Sequence, residues 1–198
     1  MATSRTPRRA PRKPARPPAP VRPEPPASGE PPRLWAPWRG AYLRLAGKPG
    51  RECIFCFGTP GARERRRRLV LYAGPLALVM LNRYPYNSGH LMIAPRRHLA
   101  SPELLERSER AALAELQAAA VARLRRAYNC DGFNLGANLG RCAGAGFADH
   151  MHWHVVPRWD GDVNFMPVLA ATRVISQHLE ETFGLLEPLF KTVGAAIS

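Results

Sequence analysis

The 198-residue sequence contains no run approaching the roughly 18 consecutive apolar residues of a membrane-spanning helix, so no membrane segment is expected. Its first residues also lack the continuous apolar core of a secretory leader, and a soluble cytoplasmic protein is expected on that ground. Acidic residues are scarce: 15 Asp+Glu stand against 29 Lys+Arg, a formal net charge of +14. That balance suits anionic ligands such as nucleotides, and non-specific nucleic acid. Only four cysteines occur. In an intracellular chain they read as thiols or metal ligands, not as a disulfide framework. There is no internal repeat.

Proline is distributed unevenly. Residues 1–33 hold eleven prolines and eight Lys+Arg against Glu24 and Glu30. Proline fixes φ and removes an amide donor, so this segment is expected to be a disordered, polyproline-II-leaning arm. Its arginines resemble those of organelle transit peptides, but the prolines forbid the amphipathic helix such peptides use. Residues 34–198 have globular composition and are expected to form one domain. The run Arg65–Arg68 reads as a solvated loop between elements.

Strand-like stretches follow. Leu69–Ala73 and Leu76–Leu81 flank the turn signal Gly74-Pro75, and Asn87-Ser-Gly89 leads into a third strand, His90–Ala94. Ser101-Pro102-Glu103 looks like a helix entry, and Ser108 offers a cap for a longer helix to about Ala127. Within it Leu113, Leu116, Ala120 and Leu124 recur at helical spacing. Gly132–Asn138 reads as a strand, Gly140–Gly146 as a glycine-rich loop, Met151–Val156 as a last strand, and about Thr172–Phe183 as a closing helix. The fold class expected is α+β, an antiparallel sheet with helices packed on one face.

His150-Met-His-Trp-His154 is the most informative stretch. In an extended chain alternate side chains share a face, which puts His150, His152 and His154 on one side at intervals of about 7 Å. Met151, Trp153 and Val155 then face an apolar interior. Imidazole changes protonation near neutral pH, so such a row can act as nucleophile, proton donor or metal ligand. Three readings compete: a structural strand that happens to display histidines, a metal site, and a phosphoryl or nucleotidyl site. The third is favoured by Asn138-Leu-Gly-Arg-Cys-Ala-Gly-Ala-Gly146 immediately upstream, whose backbone amides can approach an anion closely.

His150-Met-His-Trp-His-Val-Val156 resembles the signature of the histidine triad (HIT) family. Asn82 and Gly89-His-Leu-Met-Ile-Ala-Pro95 are similar to the family's first nucleotide-binding strands. Leu34-Trp-Ala-Pro-Trp-Arg39, Tyr84–His90 and Val156–Phe165 are similar to the branch containing bacterial diadenosine tetraphosphate phosphorylases. The resemblance spans residues 34 to about 190. It implies that His152 attacks the α-phosphorus of a nucleotide and forms a nucleotidyl-histidine intermediate, its other ring nitrogen held by a backbone carbonyl. It also implies that His154 and His90 line the phosphate pocket, that Asn82 binds the ribose, and that Asn138, Gly144 and Gly146 hold phosphate oxygens.

The substrate implied is a dinucleoside polyphosphate, and the assembly a homodimer. Rival readings are a phosphoramidate or dinucleotide hydrolase of the same family, and a basic nucleic-acid-binding protein using the arm. Many family members carry Gln and Ser or Thr where this chain has Gly146 and Phe147, which fits the phosphorylase-like branch better. In relatives with a Cys-x-x-Cys pair, zinc is held by two cysteines and two histidines. The matching residues here are Cys53, Cys56, His98 and His150, a closed structural site with no organic cofactor implied. The alternative for the pair is two reduced thiols. Cys130 and Cys142 read as plain small residues, Trp35 and Trp38 as packing anchors, Arg39 as a phosphate contact, Trp159 as an interface residue, and His178 as a non-catalytic helix residue.

Overall fold

The computed structural model describes residues 53–162, 177–191 and 193. The expected arm, Trp35, Trp38, Arg39, Val163-Asn-Phe165 and the start of the expected closing helix lie outside them. Helix α1 (Ala62–Arg68) leads into strands β1 (Val70–Ala73), β2 (Ala77–Leu81) and β3 (Leu91–Pro95). A 3-10 turn at Pro102–Leu104 precedes the long helix α2 (Arg107–Tyr128), then come β4 (Gly132–Ala137), β5 (Trp153–Arg158) and α3 (Leu179–Phe190). The strands form one antiparallel sheet in the order β1-β2-β3-β5-β4.

Both faces of the middle strands are covered, so β2 and β3 are buried at every position. This is why they read as continuous apolar runs instead of alternating ones. One face carries Ala77, Val79, Leu81, Leu91, Ile93 and Val155. It packs on Leu113, Leu116, Ala120 and Leu124 of α2 and on Phe183, Leu186 and Phe190 of α3, so the expected stripe on α2 is the one buried. Each fully buried Val, Leu, Ile or Phe among them contributes about 1.5–3 kcal/mol. The other face holds a smaller cluster in which Phe55 covers Val70, Leu78, Met80, Met92 and Ala94.

Several boundaries differ from expectation. Arg65–Arg68 are helical, not a loop: Glu64 pairs with Arg67 and Arg68 at i,i+3 and i,i+4, and Leu69 ends the helix with φ +61°. The entry at Ser101 gives only the 3-10 turn, because Leu105 returns to extended geometry. Helix α2 is capped by Glu106 in reciprocal bonding with Glu109, not by Ser108. Glu109 is buried there and also pairs with Arg97 at 2.7 Å. Helix α3 begins after His178, whose ring accepts the Glu180 amide, and runs to Phe190, seven residues past the expected end. Strand β5 starts at Trp153, since the Met151 amide bonds the Leu99 carbonyl at 2.8 Å instead of a ladder partner. Among the described residues no helix is long and apolar enough to cross a membrane.

Candidate active site and metal site

The β2–β3 turn delivers His90 to the sheet. Gly89 adopts φ +76°, and a Cβ there would lie 2.8 Å from the Tyr128 ring, so only glycine lets the chain turn against α2. His154 of β5 pairs with Met92 of β3, which puts it on the same sheet face as Phe55. The row of histidines therefore shares a face as expected, with Met151 and Val155 in the main core behind it. That face is not an open imidazole surface, however: His90, His150 and His152 are all buried.

Hydrogen bonds fix the ring tautomers, because a carbonyl can only accept and an amide can only donate. The His152 Nδ1 lies 3.0 Å from the His150 carbonyl, so Nδ1 carries the hydrogen and Nε2 keeps its lone pair. Burial pushes the His152 pKa down, opposed by the bond to that carbonyl, and the net downward shift favours the neutral ring. The Tyr86 amide donates to His90 Nδ1 at 3.0 Å, so His90 must carry its hydrogen on Nε2. That hydrogen is donated to His154 Nδ1 at 2.9 Å. His154 in turn holds its hydrogen on Nε2. The ring of Tyr86 stacks 4.6 Å from His90 and 5.8 Å from His154, an orienting role that nothing in the residue pattern signalled. The bare nitrogen of His152 thus has a tautomer-locked donor ring beside it, with centroids 5.0 Å apart.

Burial, with His154 and His152 adding to it, pushes the His90 pKa down to about 3. Unfolded, the ring titrates near 6.5. The unfolded chain therefore binds a proton that the folded chain does not, and His90's contribution to stability is complete above about pH 6.5 and lost as pH falls toward about 3. Urea titrations at about pH 6.5 and about pH 4.5 should show His90→Gln losing less stability over that interval than the parent, by up to about 1.4 kcal/mol per pH unit. Equal losses in the two proteins would contradict the buried neutral ring.

Of the other residues expected to bind ligand, Asn82 follows β2 and its backbone amide donates to the His90 carbonyl at 3.0 Å. Asn82 Oδ1 accepts the Tyr84 amide at 2.9 Å, shaping the turn toward His90. Asn138 follows the end of β4 and is half-buried. In the glycine loop Gly140 and Gly144 take φ +77° and +86°. The Gly144 amide donates to the Arg141 carbonyl at 3.0 Å, inside the turn. Trp159, expected at an interface, packs edge-on against Tyr128 of its own chain at 6.1 Å.

A second centre lies against the triad. The ligand atoms of Cys53, Cys56, His98 and His150 fall within 4.8 Å of one another, a group able to hold a metal ion. His150 Nε2 donates to the Pro95 carbonyl at 3.0 Å, which leaves Nδ1 bare. That atom sits 3.3 and 3.4 Å from the two thiol sulfurs and 3.2 Å from His98 Nδ1, with Cys56 Sγ 3.2 Å from His98 Nδ1. A tetrahedron with metal–sulfur bonds near 2.3 Å and metal–nitrogen bonds near 2.0–2.1 Å has edges of roughly 3.3–3.8 Å, so the donor set fits. Partial desolvation and the neighbouring Cys53 push the Cys56 thiol up to about 11, against the pull of Arg96. A bound cation would displace those protons. Cys130 is buried and Cys142 exposed, and neither belongs to the cluster.

Comparison with known proteins agrees with this geometry. The model of the HIT domain matches residues 63–161. An AP-4-A phosphorylase of Mycobacterium tuberculosis is 38% identical over 161 residues, covering 78% of this chain and 82% of that protein. An uncharacterized HIT-like protein of Saccharolobus solfataricus is 30% identical over 118 residues, covering 58% and 79%. A crystal structure of a zinc-bound histidine triad family protein from Mycobacterium smegmatis superposes with TM-score 0.52 at 24% identity, covering 65% of this chain and 87% of that one. A hypothetical histidine triad nucleotide-binding protein from Sulfolobus tokodaii gives 0.53 at 23% identity, covering 73% and 93%, a shared fold. With the histidine row on one sheet face and these matches across most of its length, the chain belongs to the HIT family.

Proposed function

We propose that this protein is a nucleotidyl-transferring enzyme of the dinucleoside polyphosphate phosphorylase type. The observation that carries the reading is the bare Nε2 of His152, fixed by the Nδ1 bond to the His150 carbonyl. In the first step that lone pair forms a P–N bond with the α-phosphorus, and the P–O bond to the remaining phosphates breaks, its electron pair leaving on oxygen. His154, its tautomer set by His90, offers its Nε2 hydrogen to the phosphate oxygens or the departing one. In the second step an oxygen of inorganic phosphate attacks the same phosphorus, the P–N bond breaks, and the pair returns to His152.

Asn82 binds the ribose, and Asn138 and the Gly146 amide hold phosphate oxygens as charge develops. Gly144 contributes its left-handed turn, since its amide bonds Arg141. Cys53, Cys56, His98 and His150 hold a structural zinc ion, which when bound ties the Cys53–Cys56 segment to the triad. The name of the M. tuberculosis relative supports the substrate class, and that of the M. smegmatis structure the metal. The family's homodimer is supported by β4, an outer strand of the sheet with Leu135 exposed on it. We place the catalytic domain at residues 34–198 in a cytoplasmic protein. Residues 1–33 are the basic arm, an accessory for nucleic-acid contact on charge alone.

Product analysis separates the acceptors. Diadenosine tetraphosphate incubated with inorganic phosphate should yield ADP and ATP, with no turnover when phosphate is withheld. AMP and ATP formed in water alone would reject the phosphorylase in favour of a hydrolase.

A further inference from the structure

Phe55 stands between the two cysteines of the Cys53–Cys56 pair, and its ring is fully buried. It packs outside the main core, on the sheet face that carries the histidines. Its centroid is 4.8 Å from that of His152 with the planes 34° apart, and 5.0 Å from that of His150 at 49°. Phe147 meets it edge-on at 6.0 Å. One ring nitrogen of His152 is held by the His150 carbonyl, but a single hydrogen bond lets a ring rock about it. A flat apolar surface against the ring removes that freedom. His150 carries the carbonyl, Cys53 and Cys56 flank the phenyl ring, and all three belong to the metal cluster.

The geometry points to Phe55 as a positioning residue that clamps the His152 ring, so that the Cys53–Cys56 segment sets the direction in which Nε2 attacks. The inference rests on His152 being the nucleophile, since a ring with no chemistry to perform needs no aim. A residue that merely fills the core could be replaced by leucine with little consequence for chemistry.

Phe55→Leu and Phe55→Ala in the full-length, metal-loaded protein test this. Both should bind the parent's amount of metal, with KM for diadenosine tetraphosphate unchanged within about twofold. Because small misplacements of a reacting group cost up to about 100-fold, kcat and the single-turnover rate of adduct formation on His152 should fall about 10-fold in Phe55→Leu and about 100-fold in Phe55→Ala. Parental rates in Phe55→Leu would overturn the inference, and so would rate losses matched by lost metal or by a raised KM. Should the alanine variant not fold, the leucine variant decides alone. The parent run in parallel separates the two levels: no adduct in the parent refutes the nucleophile itself and takes this inference with it, whereas an adduct in the parent with undiminished rates in the variants refutes Phe55 only.

Discussion

Replacing His152 by alanine is expected to lower turnover by at least about 10⁴-fold while the protein stays folded, the scale of loss seen when a covalent nucleophile is removed. No neighbouring group can substitute. His90 Nδ1 accepts the Tyr86 amide, and its Nε2 hydrogen is given to His154. His150 has one nitrogen on the Pro95 carbonyl and the other inside the cysteine cluster. The fold should survive because the truncation leaves the main core intact: His152 lies on the opposite face, against Phe55. It leaves the His150 carbonyl without its ring donor, a cost of about 1–3 kcal/mol. Far-UV circular dichroism and nucleotide affinity close to the parent's, with turnover absent, are the signature to look for. Retained turnover would reject the assignment.

Removing the metal is the second large effect expected. The cluster draws on three separated places: the segment before α1, the loop after β3, and the stretch before β5. Among the described residues no disulfide supports these connections, all four cysteines being free. Binding of zinc to small structural sites is worth about 10–16 kcal/mol, but here the helix-backed core is built from residues other than the four ligands. A loss on the order of 5 kcal/mol is therefore expected, which at about 2–4 °C per kcal/mol lowers Tm by about 10–20 °C. A chelator titration followed by differential scanning calorimetry measures it, and Cys56→Ser should reproduce most of the shift. An unchanged Tm after verified metal removal would mean that the four residues do not form a structural site.

The sheet and its helices were legible in the sequence because period and punctuation agree there. Gly74-Pro75 and Asn87-Ser-Gly89 mark real turns, and the Leu113–Leu124 stripe lies in the core. The differences arise where side-chain contacts override local preference. Glu106 caps α2 because Glu109 and Arg97 hold it there, although Ser108 has the better intrinsic cap preference. Helix α3 passes through Gly184 and Pro188, both breakers by propensity, because Leu186 and Phe190 are buried against α2 and the sheet. Arg65–Arg68 are held in a helix by Glu64, with Arg66 reaching Glu180 across 114 positions.

At the site, the alternation of His150, His152 and His154 pointed to the sheet face on which the histidines lie together. It could not tell that Phe55 covers His150 and His152 on that face, since Phe55 lies 97 positions from His152 in the chain. Nor could spacing reveal that Tyr86 sets the tautomers of His90 and His154, because that role belongs to its backbone amide and ring position. Backbone amides have no residue type, which is also why the involvement of Gly144 in its own turn was invisible beforehand.

The most direct test is to mix the enzyme with diadenosine tetraphosphate without phosphate, quench in alkali where phosphoramidates survive, and map the modified peptide by mass spectrometry. A single adenylyl group on His152, absent from His152→Ala and discharged to ADP when phosphate is added, is the predicted result. An adduct on another residue, or full turnover with none on any histidine, would contradict it.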